Sequence, residues 1–347
     1  MMIGLALEPE LDRPVLANPT TAMMVELRAR LLQPMWYRVF WVAVFLAAAV
    51  ADAVMHGLGL GPLYFFAAAV ITTKTAVLMR RERKRFEHDS ELLANAYWKP
   101  AAARVIHGAG LVTKLWVALG SDWVPVQVKW MTGMHRAVLR RTGRVWLVGP
   151  DERGLVLVRV EGSHYPFSGS VLTEVPAERP ADKKEPTDPT VAAARNAAQS
   201  LTVLGMQLLG VLVFTLVVAN SGDEFDLPVF VGVVGTGWGI LFFRLYQAWR
   251  PGNLRQLPGL VAEANWVRVG VVVDPFEPRR LGAATATATV RSDGDVSRIV
   301  LPHAGVDLLG TMHETGVVWI SGPFRGGGPV AVGYPGYPLV AAARVRR

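Results

Sequence analysis

Residues 142–150 read Thr-Gly-Arg-Val-Trp-Leu-Val-Gly-Pro, and residues 315–323 read Thr-Gly-Val-Val-Trp-Ile-Ser-Gly-Pro. Six of the nine positions are identical, and a seventh exchanges Leu147 for Ile320. In each copy a short β-branched and aromatic run ends on Gly-Pro, the pattern of a strand closing on a turn. Two such copies in one chain predict an internal duplication.

The match extends outward. Asn18-Pro19-Thr20 and Asp188-Pro189-Thr190 both read as an N-cap followed by proline at the first helical position. Trp98-Lys99-Pro100 answers Trp249-Arg250-Pro251. Gly110-Leu111-Val112 with Trp116 answers Gly259-Leu260-Val261 with Trp266. Trp98 and Trp146 are 48 residues apart and Trp249 and Trp319 are 70 apart, so this alignment puts an insertion of about 22 residues between Asp274 and Asp295. Strands are expected at 112–119, 124–130, 144–148 and 154–160, and again at 266–273, 283–290, 317–321 and 329–332. Short strands with glycine-rich turns point to a small barrel of the SH3-like or OB-like kind in each half.

Four apolar segments precede the barrels in two pairs: Val39–Met55 with Leu60–Met79, and Leu201–Ala219 with Leu227–Phe243. Each approaches the roughly 20 residues needed to cross a bilayer as a helix. Hydrophobic residues make up 51% of the chain and charged residues 18%. Arg80, Arg81, Arg83, Lys84 and Arg85 follow the second segment, and the connections within each pair carry no Lys or Arg. The charge bias places both termini and both β-domains on the cytoplasmic side of a cell inner membrane. The expected fold class is therefore an α+β membrane protein, with four transmembrane helices in two hairpins, each followed by a small cytoplasmic β-domain. Its parts are an N-terminal segment with a helix (1–35), hairpin 1 (36–79), β-domain 1 (80–174), a linker and helix (175–200), hairpin 2 (201–245), β-domain 2 (246–340) and a basic tail (341–347). Spans followed by a small barrel resemble membrane proteins of the NfeD type in layout alone; no motif is shared and no residue role follows.

The chain has no cysteine, which removes disulfides, thiolate metal sites and Cys nucleophiles. Its seven histidines form no H-x-x-x-H spacing, and no metal or cofactor is expected. Gly326-Gly327-Gly328 lacks the Lys-Ser/Thr of a phosphate loop and reads as a hairpin turn. Gly162-Ser163-His164 reads as a solvated turn. His313-Glu314, placed on an extended segment, point to opposite faces. Asp52 and Lys74 are the ionisable residues inside the first two spans, at different depths. Gly235 and Gly239 form a G-x-x-x-G helix-packing face. Trp146 and Trp319 are expected in the cores of their barrels, and Trp98 and Trp249 as membrane-interface anchors.

The net charge is +8, much of it in short runs. Arg80–Arg85 and the tail Arg344, Arg346 and Arg347 suit anionic lipid headgroups. Nucleic acid is not expected as a partner, because no basic stripe interleaves with aromatics along either β-domain. The functional expectation is a non-enzymatic adaptor or assembly component, binding a protein partner or itself through its paired β-domains. The alternative is a small transporter or channel subunit.

Overall fold

The structure is a computed structural model that describes residues 8–32, 36–56, 60–174, 188–198, 256–262, 265–278, 282–292, 295–322 and 327–346. It divides into two units, one containing residues 28–88 and the other containing both β-domains.

Helix α1 (Pro19–Leu31) begins where the Asn-Pro signal places it, and Asn18 Oδ1 caps it by accepting the Thr21 N–H at 2.8 Å. Helices α2 (Trp36–His56) and α3 (Leu60–Ala94) cover the first apolar pair. They do not have the expected character. Among the described residues no helix is long and apolar enough to cross a membrane. The basic run is not a flank that ends a span: α3 continues through it as one helix of 35 residues. Arg80, Arg81, Arg83, Lys84 and Arg85 lie within that helix, and Arg83 pairs with Glu87 one turn on at 2.8 Å. The apolar stretch is thus the first part of a helix whose remainder is charged, and the sequence of α2 includes the charged Asp52. The four-span fold class, the inner-membrane localisation and the layout likeness drawn from them are corrected accordingly. The segments Leu201–Ala219 and Leu227–Phe243, with Gly235 and Gly239, lie outside the described residues, as do Trp249 and most of the linker.

The β-domains are two closed six-stranded antiparallel barrels. The first comprises β1 (Lys99–Ala109), β2 (Val112–Leu119), β3 (Asp122–Lys129), β4 (Arg144–Val148), β5 (Leu155–Arg159) and β6 (Phe167–Val171), closed in the order 1-2-3-6-5-4. The second comprises β7 (Val267–Val273), β8 (Ala283–Ser292), β9 (Asp295–Gly305), β10 (Val317–Ser321), β11 (Pro329–Gly333) and β12 (Val340–Arg346), closed in the equivalent order 7-8-9-12-11-10. Closure leaves no unpaired edge in either barrel. Each carries one helix between its third and fourth strands. In the first barrel this is α4 (Gly133–Thr142). Residues 189–198 form α5, Leu257–Ala262 form α6, and Val306–Thr315 form α7, the counterpart of α4. Alternation builds the interiors: Leu115, Val117, Val126, Val128, Val145 and Leu147 fill the first, and Val271, Val290, Ile299, Leu301, Val318 and Ile320 the second.

Strand pairing revises the internal alignment. Trp146 lies opposite Pro100, and Trp319 lies opposite Arg268. Trp98 and Trp266 each stand two residues before those partners, so Trp266, and not Trp249, is the equivalent of Trp98. The separations are then 48 and 53 residues. The second copy gains about five residues rather than 22, mainly because residues 274–282 replace the two-residue turn 110–111. Trp98 is also no membrane anchor. It is 3% exposed, packed with Val15, Leu93, Trp146 and Leu157 on the outside of the first barrel.

Candidate functional site at the barrel junction

The loop joining β5 to β6 holds Glu161-Gly162-Ser163-His164, and it is not solvated. Ser163 is 1% exposed and His164 3%, because this loop of the first barrel rests on α7 of the second. Ser163 Oγ donates to Asp307 Oδ2 at 3.0 Å, and the His164 backbone N–H donates to Asp307 Oδ1 at 2.7 Å. Asp307 sits in the first turn of α7, where a carboxylate is favoured by the helix dipole. Thr311 Oγ1 gives its proton to the Asp307 carbonyl at 2.7 Å and so receives one from His164 Nε2 at 3.2 Å. His164 Nδ1 faces the Arg159 Nη2 donor at 3.5 Å. This network assigns His164 as the neutral Nε2–H tautomer. Burial, with the Arg159 charge beside it, pushes the imidazole down to about 3. Burial also lowers Arg159 to about 10, against the opposing pull of Asp307 and Glu314. Asp307 is raised by burial, an effect opposed by the two donors it accepts.

The network reaches α1. Glu314 Oε1 accepts from Asn18 Nδ2 at 2.9 Å and from Thr20 Oγ1 at 2.8 Å, while Glu314 Oε2 stands 3.6 Å from His164 Nε2. His313 and Glu314 are therefore helix neighbours on α7, not residues of an extended segment. The second barrel reciprocates through the equivalent loop, which joins β11 to β12. Tyr337 Oη donates to Glu161 Oε1 at 2.5 Å, and the Arg141 guanidinium lies over the Tyr337 ring at 4.7 Å. Burial and the bond to Glu161 push the Tyr337 phenol up to about 12. Gly162, at φ +75°, allows the approach: a Cβ there would enter the Tyr337 ring. Thr190 of α5 accepts from the Gly336 N–H at 2.7 Å and donates to the Tyr337 carbonyl at 2.9 Å. Each barrel thus inserts its fifth-to-sixth-strand loop against the other barrel's helix.

A cleft of about 310 Å³ adjoins this junction, walled by Pro19, Thr20 and Met23 of α1, by Val273 at the end of β7 with the following residues to Phe276, and by Gly310 and His313 of α7. Its charged group, Asp274, is held by Thr287 Oγ1 and by Arg298 Nη2 at 2.8 Å, which keep the carboxyl below its usual range. Among the described residues no group of three or more potential metal ligands converges.

Trp146 is 2% exposed on the outer side of its barrel, beneath the covering residues around Trp98, with the Arg144 guanidinium 5.6 Å from its ring. Trp319 is half-buried against Tyr334, ring centroids 5.5 Å apart, with Arg268 at 5.8 Å. Lys74 lies in α3 on an exposed position beside Leu46, Phe66 and Val70.

Pairing also gathers residues that are scattered in sequence. On the outer face of the first barrel Arg104 of β1 lies opposite Trp116 of β2, which lies opposite Pro125 of β3. Lys114 lies opposite both His107 and Gln127. The Arg104 guanidinium stands 5.2 Å from the Trp123 ring. Trp123 is 43% exposed and Trp130, just past β3, is 47% exposed. Trp130 also holds φ +66°, a left-handed conformation that costs an L-residue about 1–2 kcal/mol. The residue types were visible in the sequence, but their adjacency was not, because it is made across strands.

No family model, no curated protein and no solved structure matches this chain.

Proposed function

We propose that the chain is a non-enzymatic adaptor, whose two barrels are clasped into one recognition element for a protein partner. The observation that carries this reading is the wiring of Ser163, His164 and Asp307. These residue types could perform acyl transfer, but a base must reach the nucleophile's proton. Here Ser163 Oγ donates to Asp307, and the His164 ring turns away to Thr311. All of them are consumed in joining one barrel to the other. A buried, inter-barrel polar network fixes relative orientation, which is what an adaptor presenting a composite surface needs.

After mild crosslinking the full chain is expected to co-purify with one protein at fixed stoichiometry. Asp307→Ala should release that partner while the far-UV signal of both barrels persists. A chain that elutes alone at its own mass with and without crosslinker overturns the reading.

A further inference from the structure

The outer face of β1–β2–β3 calls for a second ligand, beyond the adaptor reading. We propose that this face binds single-stranded nucleic acid. Its outward polar and aromatic positions include Arg104 and His107 on β1, Lys114 and Trp116 on β2, and Trp123, Gln127 and Lys129 on β3, with Trp130 next in the chain. The acidic group on these strands is Asp122, exposed at the head of β3, and the cations outnumber it. Trp123 lies near the start of β3 and Trp130 just past its end, about 23 Å of extended chain at ~3.3 Å per residue, with Gln127 and Lys129 between them in sequence. A single strand supplies phosphates for the cations and a π-face at every base for the indoles, over a minimum site of about 4 nucleotides.

Other partners use only half of this surface. An acidic peptide would pair Arg104 and Lys114 and leave the indoles in water. An apolar segment would cover the indoles and strip water from the cations without pairing them. The barrel is closed, so no strand can add to an edge. The equivalent face of the second barrel lacks tryptophan. It presents exposed Arg268 on β7 and Thr287, Thr289 and Arg291 on β8, and its Arg298 is already engaged by Asp274. The two copies share a fold and a clasp, yet only the first carries tryptophan among the basic side chains of its first three strands. Trp130 adds an independent sign, since a large exposed aromatic is held in a backbone conformation that disfavours it.

The test is fluorescence anisotropy of a labelled mixed-sequence oligonucleotide of about 12 nucleotides with the full chain, titrated between about 50 and 200 mM salt. Binding is expected to fall with salt. Trp123→Ala should weaken it about tenfold and Trp123→Phe should restore most of the loss, as stacking requires. Arg104→Ala with Lys114→Ala should reduce the slope of log K against log salt by about 1.4, at ~0.7 per phosphate contact. Arg291→Ala, on the second barrel's corresponding face, should bind like the parent. The proposal is overturned by no binding at the lowest salt, or by equal loss in Arg291→Ala and Trp123→Ala. It is also overturned if a duplex of the same sequence binds more tightly, or if polyglutamate competes as well as the oligonucleotide. Each variant's unchanged far-UV spectrum and melting temperature separate lost binding from lost folding.

Discussion

Tyr337 and Gly310 test the clasp one side chain at a time. The Tyr337 hydroxyl donates to a carboxylate across the barrel junction. Tyr337→Phe should lower stability by about 1.5–3 kcal/mol, the range for hydrogen bonds to charged groups, read as a lower urea midpoint. The neighbouring Arg141 contact should survive, because the ring remains. Gly310 is fixed by close approach: a Cβ there would enter the Thr20 side chain. Gly310→Ala should cost about 1–3 kcal/mol, as overpacking does, and should dislodge Thr20 from Glu314. A melting temperature equal to the parent's would show that α1 does not pack on α7. Neither effect could be anticipated from the residues alone. Gly-Ser-His between two strands has the composition of a solvated turn, and only the second barrel resting on it makes it core.

At the scale of the element, the duplicated Thr-Gly-x-Val-Trp stretch is a helix end joined to a strand. Thr142 and Thr315 end α4 and α7, and Gly143 and Gly316 follow in the left-handed conformation at φ +66° and +64°. Their backbone N–H groups close on the Leu139 and Met312 carbonyls. Gly143→Ala and Gly316→Ala should each cost about 1–2 kcal/mol, and by equal amounts, since open space surrounds both positions and only the backbone conformation is penalised. Unequal losses would mean that the two caps have diverged. Strand and turn were legible here because alternation and Gly-Pro punctuation are local. The helix before them was not: α4 is short and carries His135, Arg136, Arg140 and Arg141, so its apolar face reduces to a few positions. The equivalence of Trp98 with Trp266 was missed for a related reason. Trp-Arg-Pro at 249 imitates Trp-Lys-Pro at 98 in composition, whereas register, a property of two strands, selects Trp266.

For the whole molecule, the titrating groups set an acid limit. His164 is held at about 3 and His135 at about 4, both below the 6.5 of a free imidazole. Burial is the main cause in each, with Arg159 and Arg136 adding to it. The unfolded chain therefore takes up these protons first. Stability should be full above pH 6.5 and fall as the pH drops through the window from 6.5 toward 4 and 3. The slope is about 1.4 kcal/mol per pH unit for each proton. Asp307, raised by burial, acts in the opposite sense at the acid end and softens the fall. Urea titrations at a series of pH values should show this dependence, and His164→Asn should remove one proton's worth of it. An unchanged slope in that variant would place the sensitivity elsewhere.

The amino-acid order alone settled that this chain contains two copies of one β-unit, with helix starts at Asn18 and Asp188 and strands closing on Gly-Pro. Those signals are carried by residues within a few positions of one another. It misjudged the first apolar pair as bilayer spans, because composition does not reveal that α3 carries its apolar stretch and its charged run on one helix. Three features belong to the folded chain only: the clasp of Ser163, His164, Asp307 and Tyr337, the cleft beside Gly310, and the Arg104–Trp116–Trp123 face. Each joins residues distant in sequence through strand register or loop insertion, and such contacts exist only once the barrels have closed.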